Sequence, residues 1–135
     1  MSRTIVELGS IKCNQTSEPG HDEVFLISQS DGGVPIFIPP GLWKLSNKAH
    51  SMANGDTWTP VDRDGQSYKF SFEYSLVISL WDADVNDDPT VSSFLGDVHF
   101  APSSFDPGTV TQNSWVPGND GYDASYDVTL TKVSG

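Results

Sequence analysis

The sequence contains one cysteine, few basic residues and no long apolar run. Cys13 has no second cysteine with which to form a disulfide inside the chain, and its apolar surroundings predict a buried, unreactive thiol. Seven Lys and Arg stand against 18 Asp and Glu, which gives a formal net charge of −11. A chain this acidic repels the phosphates of nucleic acids, so we expect no nucleic-acid partner.

Membrane and export signals are equally scarce. No apolar stretch is long enough to cross a bilayer as a helix, which predicts no transmembrane segment. The first residues lack the basic region and the apolar stretch of a secretory signal. We therefore expect a protein that stays in the cytoplasm or is exported without a conventional signal peptide.

Helical periodicity is missing as well, and strand patterns take its place. No window of a dozen residues shows an apolar stripe at helical spacing, and 12 Gly and 9 Pro interrupt the chain. Residues 67–74 alternate strictly, with aromatic side chains on one face, which predicts a half-buried strand of an antiparallel sheet. The apolar run from Leu76 to Trp81 predicts a strand buried on both faces, with Trp81 in the core.

Further strand candidates are separated by turn-forming clusters of Gly, Pro, Asn and Asp. They are Thr4 to Cys13, Glu23 to Ser28, Val34 to Ile38, Leu42 to Leu45, Leu95 to Phe100 and Ser125 to Val133. Short strands without intervening helices predict an all-β fold, an antiparallel β-sandwich of about eight strands. The length predicts a single domain over residues 1–135, in which 101–121 forms a long surface connection.

An acidic cluster lies directly after the strand that ends at Trp81. It contains four aspartates and an asparagine within seven residues: Asp82, Asp84, Asn86, Asp87 and Asp88. Neighbouring carboxylates raise each other's pKa, and a hard divalent cation such as Ca²⁺, which binds 6–8 oxygen ligands, compensates their charge. The alternative is a solvated acidic turn. An EF-hand is excluded because Asp87 stands where the loop needs glycine and Ser93 where it needs glutamate.

A second acidic turn, residues 16–23, separates the first two predicted strands. A sandwich places alternate loops at the same end, so Glu18 and Asp22 can complete a calcium shell begun by Asp82 and Asp84. Asp56 is a weaker contributor, for which an ordinary turn role is the main alternative. We therefore predict a two-loop metal site made of Asp82, Asp84, Asp22, Asp88, Asp87 and Glu18.

These two segments resemble the calcium loops of C2 domains. Leu80-Trp-Asp-Ala-Asp-Val-Asn-Asp-Asp88, followed by Phe94-Leu-Gly-Asp-Val98, is similar to the third loop of that family. Pro19-Gly-His-Asp-Glu-Val-Phe-Leu26 is similar to the first. The resemblance implies an eight-stranded sandwich that binds calcium at one end, and through it a membrane or a partner.

Carried over by position, the resemblance implies that Asp82 and Asp84 are the paired ligands of loop three and Asp22 the later ligand of loop one. The chain departs from the pattern at two positions. The earlier aspartate of loop one is replaced by Thr16 or Glu18, and the last aspartate of loop three aligns with Ser93. The resemblance therefore implies that Asp87 or Asp88 serves in that place.

The resulting expectation is a calcium-binding module that is not an enzyme. The three histidines lie in separate segments, and no nucleophile elbow or zinc spacing is present. Two alternatives remain: a calcium-dependent carbohydrate-binding module, with Trp43, Trp58 and Trp115 as sugar platforms, or a structural subunit stabilised by calcium. The partner beyond calcium is then a membrane lipid or a glycan. The sequence does not indicate an oligomeric state.

Overall fold

Ten strands and a single 3-10 turn account for the regular structure in the computed structural model, which describes residues 3–40, 49–83, 92–106, 108–118 and 122–134. The strands follow the alternation of apolar and polar residues along the chain. They are β1 (Thr4–Gln15), β2 (His21–Ser30), β3 (Ile36–Ile38), β4 (His50–Ala53), β5 (Thr57–Trp58), β6 (Lys69–Phe72), β7 (Leu76–Ala83), β8 (Ser92–Phe100), β9 (Thr109–Val116) and β10 (Ala124–Ser134), with the 3-10 turn at Pro102–Phe105.

The strands form two five-stranded sheets in which neighbouring strands pair in antiparallel orientation. The first sheet has the order β5-β1-β10-β9, and β6 pairs with the other half of β1. The second sheet has the order β3-β2-β7-β8, and β4 also pairs with β2. The all-β sandwich expected from the sequence is therefore confirmed. Among the described residues, no helix has the length and apolar character needed to cross a bilayer.

The core lies between the two sheets. Each long strand contributes the alternate side chains of one face, as the buried positions of β7 and β10 show. The largest fully buried side chains include Tyr126, Phe72, Phe100, Leu8, Ile11, Leu26, Ile38, Met52, Leu76, Ile78 and Leu80. Cys13 is also completely buried in this core, as expected.

Strand β7 differs from the expectation of burial on both faces. Leu76, Ile78 and Leu80 are buried in the main core, but the residues between them are only half-buried. Trp81 packs on the opposite face of the sheet, against the smaller cluster that contains Phe25. The apolar residues of β7 thus pack into two separate clusters, and Trp81, which was expected in the core, is half-buried against the smaller one.

The long surface connection expected over residues 101–121 was also wrong in its central part. Residues 109–116 form β9, which pairs along its length with β10. Its sequence, Thr-Val-Thr-Gln-Asn-Ser-Trp-Val, is polar because β9 lies at the edge of the sheet and only Ser114 is fully buried. The strands β4 and β5 were likewise not predicted, and the predicted strand Leu42 to Leu45 lies outside the described residues.

Two local features shape the ends of the second sheet. At Gly96 the register between β7 and β8 shifts by one residue, and its φ of +111° is accessible to glycine. A β-carbon at this position would lie 2.9 Å from the Cβ of Ser114. At the other end of the sandwich, the Asp31 carboxylate accepts backbone N–H bonds from Glu73, Tyr74 and Ser75, which joins the β2–β3 turn to the β6–β7 turn.

Candidate metal centre

One end of the sandwich contains the C-terminal ends of β1, β7 and β9. Gln15 at the end of β1 pairs with Ser125 at the start of β10, and Ser125 pairs with Trp115 near the end of β9. In the second sheet, Val24 near the start of β2 pairs with Asp82 near the end of β7. The antiparallel pairings therefore bring the segment 16–20 and the end of β7 to the same end of the fold.

Segment 16–20 crosses from the first sheet to the second and is fixed by hydrogen bonds. The hydroxyl of Thr16, which is almost fully buried, donates to the Glu18 carbonyl at 2.6 Å. The backbone N–H of Thr16 donates to the side-chain oxygen of Asn54 at 2.9 Å. Gly20 then turns the chain into β2 with a φ of +97°. These contacts set the path along which Glu18 reaches the end of the core.

Three carboxylates meet there. Oxygen atoms of Glu18, Asp22 and Asp82 all lie within 4.8 Å of one another. Asp22 continues the core-facing row of Val24 on β2, and Asp82 continues the core-facing row of Leu80 on β7. On each of these two neighbouring strands, the row of core-facing apolar residues therefore has a carboxylate at its end. The exposed Glu18 approaches them from segment 16–20. We call these three residues the acidic triad.

Asp22 is completely buried and accepts hydrogen bonds from neutral donors. Its Oδ1 accepts the Ser17 hydroxyl at 2.7 Å, and its Oδ2 accepts the Ser17 backbone N–H at 3.0 Å. Its Oδ2 also accepts the hydroxyl of Tyr126 at 2.5 Å. An ionised carboxylate offers about four lone-pair positions, so three donors leave about one of them available to a further partner.

Asp82 is half-buried and lies in a strongly unfavourable environment for a charge. Burial raises the pKa of its carboxyl from 3.8 to about 7, and the neighbouring charges of Asp22, Glu18 and Glu23 act in the same direction. The backbone N–H of Glu23, which donates to Asp82 Oδ1 at 2.8 Å, opposes the rise in pKa. Near neutral pH this carboxylate therefore gains stability from a cation that replaces its proton.

The donor set fits a hard cation. All three triad ligands offer oxygen, the atom that Ca²⁺ and Mg²⁺ prefer over nitrogen and sulfur. Three oxygens that lie within 4.8 Å of one another are close enough to bind one such ion. Within the described ranges, none of the identified ion pairs gives Glu18, Asp22 or Asp82 a basic partner.

The structure brings together half of the residues predicted for the site. Glu18, Asp22 and Asp82 converge as the connectivity of a sandwich predicts. The other three predicted ligands, Asp84, Asp87 and Asp88, lie outside the described residues. Asp22 was predicted in the turn but belongs to β2, where it pairs with Met52 of β4.

Other candidates take different roles. Asp56 accepts the backbone N–H of Ala53 at 2.9 Å, which is the turn role weighed against metal binding. Of the tryptophans considered as sugar platforms, Trp58 is stacked on His50 with ring centroids 4.7 Å apart, Trp115 is 57% exposed, and Trp43 lies outside the described residues. Sequence reasoning missed the hydroxyl donors to Asp22, since Tyr126 lies 104 residues away with no motif around it.

Comparisons with known proteins find likenesses among solved structures. No protein-family model matches the sequence, and no curated protein matches it. One similar solved structure is that of the human GIVD cytosolic phospholipase A2 in complex with a methyl gamma-linolenyl fluorophosphonate inhibitor and terbium chloride. It is 14% identical with a TM-score of 0.48, and the match covers 96% of this chain but only 17% of that chain.

Proposed function

We propose that this chain is a non-catalytic calcium-binding module that holds Ca²⁺ at one end of its sandwich and uses it to bind a membrane or a partner. The observation that carries the proposal is the acidic triad, in which a fully buried, a half-buried and an exposed carboxylate converge within 4.8 Å. Carboxylates brought this close repel one another, and a divalent cation between them converts the repulsion into attraction.

The triad supplies part of a calcium shell. Glu18, Asp22 and Asp82 each offer one oxygen, whereas calcium takes 6–8. Asp84, Asp87 and Asp88 follow Asp82 within six residues along the chain, and we propose them, with water and backbone carbonyls, as the remaining ligands. This division between two loops matches the C2-like sequence pattern of the chain.

The state of Asp22 argues for a holding role over a catalytic one. Its carboxylate is fully buried and receives three hydrogen-bond donors, from Ser17 and Tyr126. Such a group is held in one position and is closed to a substrate that must exchange protons with it. We therefore propose that the module binds and does not catalyse.

An aromatic pair beside the site supports membrane docking as the purpose of the bound ion. Phe94 at the start of β8 is 42% exposed and packs on Trp81, with ring centroids 5.1 Å apart. Both residues are paired across β7 and β8 next to Asp82. An ion that neutralises the triad would allow this apolar side chain to approach anionic headgroups, which the net charge of −11 otherwise repels.

Calcium-dependent carbohydrate binding is the second candidate, and Trp115 favours it. This side chain is 57% exposed and lies on β9, two strands away from the end of β1. An exposed indole offers a flat surface on which a sugar ring can stack. Liposome co-sedimentation and a glycan array, each with calcium and with a chelator, separate the two candidates.

The direct test is thermal unfolding of the protein with calcium and with a chelator. A cation that binds only the folded state stabilises it by about 2.7 kcal/mol at one hundred times its Kd. For a domain of this size that raises the Tm by about 5–10 °C. Asp82→Asn should abolish most of this rise. Asp106→Asn is the matched control, because it removes one exposed carboxylate beyond the 3-10 turn, at the opposite end of the sandwich. An unchanged Tm of the wild type in millimolar calcium refutes the proposal.

A further inference from the structure

Tyr126 makes a buried hydrogen bond that joins the first sheet to a residue of the acidic triad in the second sheet. It lies on β10 in the first sheet, is fully buried, and donates its hydroxyl to Asp22 Oδ2 on β2 in the second sheet at 2.5 Å. Cys13 on β1, which is also fully buried, is its direct neighbour in the first sheet. A hydrogen bond therefore spans the apolar core between the two sheets and ends at one carboxylate of the triad.

We infer that Tyr126 is a positioning residue for the metal centre, which orients Asp22 so that its remaining lone pair faces the other two triad carboxylates. The inference rests on the proposed calcium function and adds to that site a residue that does not bind the ion itself. Together with Ser17, Tyr126 occupies about three of the four lone-pair positions of Asp22. The positions of Ser17 and Tyr126 thus determine the direction in which the fourth lone pair of Asp22 can bind an ion.

The chemistry of the tyrosine suits this role. A tyrosine hydroxyl keeps its proton at neutral pH, so this group donates a hydrogen bond to the Asp22 carboxylate. Its aromatic ring is held within the main core among fully buried side chains, including Val128 on the same strand. A donor on a packed ring of this kind has no rotamer freedom to lose when the ion binds. Residues that hydrogen-bond to metal ligands typically contribute 10–100-fold in metal affinity.

The test is Tyr126→Phe, which removes the hydroxyl and keeps the ring. Calorimetric titration with calcium chloride should show a Kd at least about tenfold higher than that of the wild type. The Tm gain caused by calcium should fall in the same variant. Val128→Ala is the matched control, since it weakens the same buried strand without contacting the triad, and it should lower the Tm equally with and without calcium.

A double-mutant cycle shows whether the hydroxyl acts through Asp22. When Asp22→Asn is already present, adding Tyr126→Phe should cause no further loss of calcium affinity. An additional loss of tenfold in that background means that Tyr126 acts by another route and overturns the inference. Equal Kd values for the wild type and Tyr126→Phe overturn it as well, while leaving the calcium function intact. A wild type that shows no calcium binding overturns both.

A measurement on the wild type covers the case in which Tyr126→Phe does not fold. With tyrosines labelled by ¹³C at the ring carbon that carries the hydroxyl, the Tyr126 resonance should shift on saturation with calcium. The Tyr68 resonance is the internal reference, because Tyr68, the residue before β6, lies beside Leu8 of β1, whose N–H donates to the Tyr68 carbonyl. A Tyr126 resonance that stays in place during calcium binding contradicts the positioning role.

Discussion

Asp82→Asn should stabilise the metal-free protein at pH 8 while it removes the response to calcium. In the native state the pKa of Asp82 is raised from 3.8 to about 7. Between these two values the folded chain binds more protons than the unfolded chain, so the free energy of unfolding decreases as the pH rises from about 4 to about 7. Above pH 7 the full cost of the buried charge is present, and asparagine carries no such charge.

The magnitude follows from the same pKa. A rise from 3.8 to about 7 corresponds to about 4 kcal/mol if all of it is lost stability. Asp82 is only half-buried, so solvent screening reduces this to about 2 kcal/mol. The variant retains an oxygen that accepts the Glu23 N–H bond, and we therefore expect a net gain of about 1–2 kcal/mol at pH 8 in chelator.

Urea denaturation at pH 5 and pH 8, with chelator and with millimolar calcium, measures these terms separately. The difference between variant and wild type should be small near pH 4–5 and should grow toward pH 8, since protonated Asp82 and asparagine are both neutral. In calcium the order should reverse, with the wild type more stable. If the metal-free variant is less stable than the wild type at pH 8, the charge of Asp82 does not destabilise the fold, and the prediction is refuted.

Three further predictions concern other parts of the fold and the pH dependence of the site. Asp31→Ala should lower the Tm at pH 7 and leave the calcium-induced rise in Tm unchanged. The backbone N–H groups of residues 73–75 hold the pKa of Asp31 below 3.8. The stability that Asp31 contributes is therefore present above pH 4 and is lost as the pH falls through that lowered pKa. Differential scanning calorimetry at pH 7 and pH 3 checks both points. Gly96→Ala should lower the free energy of unfolding, measured by urea denaturation, by about 2 kcal/mol or more, because of the positive φ and the close approach to Ser114. A loss below about 0.5 kcal/mol, which is within the ordinary range of surface substitutions, would contradict this. The calcium Kd should rise by up to about tenfold for each pH unit below 7 and level off above it, because the ion must displace the Asp82 proton; a flat titration from pH 5.5 to 8 counts against Asp82 as a ligand.

The strands that the sequence predicts correctly are those with a buried apolar face. Residues 4–13 and 23–28 are recovered within β1 and β2 because alternate positions face the core. β9 was missed because its outward row from Thr109 to Asn113 is polar and contacts polar side chains on β10, as in the contact of 2.7 Å between the hydroxyls of Thr111 and Thr129. Period-two alternation detects a core face, and an edge strand shows little of it.

The sequence predicts the carboxylates of the site but not the residues that hydrogen-bond to them. The convergence of Glu18, Asp22 and Asp82 could be predicted because a sandwich places alternate connections at one end, and two of these connections are rich in acidic residues. Ser17 and Tyr126 could not, since hydrogen bonds to Asp22 depend on the distance between the two sheets and on one rotamer. Nothing in the local sequence of β10 distinguishes Tyr126 from a tyrosine that merely packs.

The separation of these residues along the chain has a consequence for how calcium stabilises the protein in time. Asp82 lies 59 residues from its hydrogen-bond donor Glu23, and Tyr126 lies 104 residues from Asp22. Contacts this distant in sequence require the closure of long loops, and we expect them to form late in folding. An ion that binds only the finished arrangement adds little to the folding transition state and must be released before the sheets separate. Calcium should therefore slow unfolding and leave the refolding rate nearly unchanged, so that the ion prolongs the lifetime of each folded molecule.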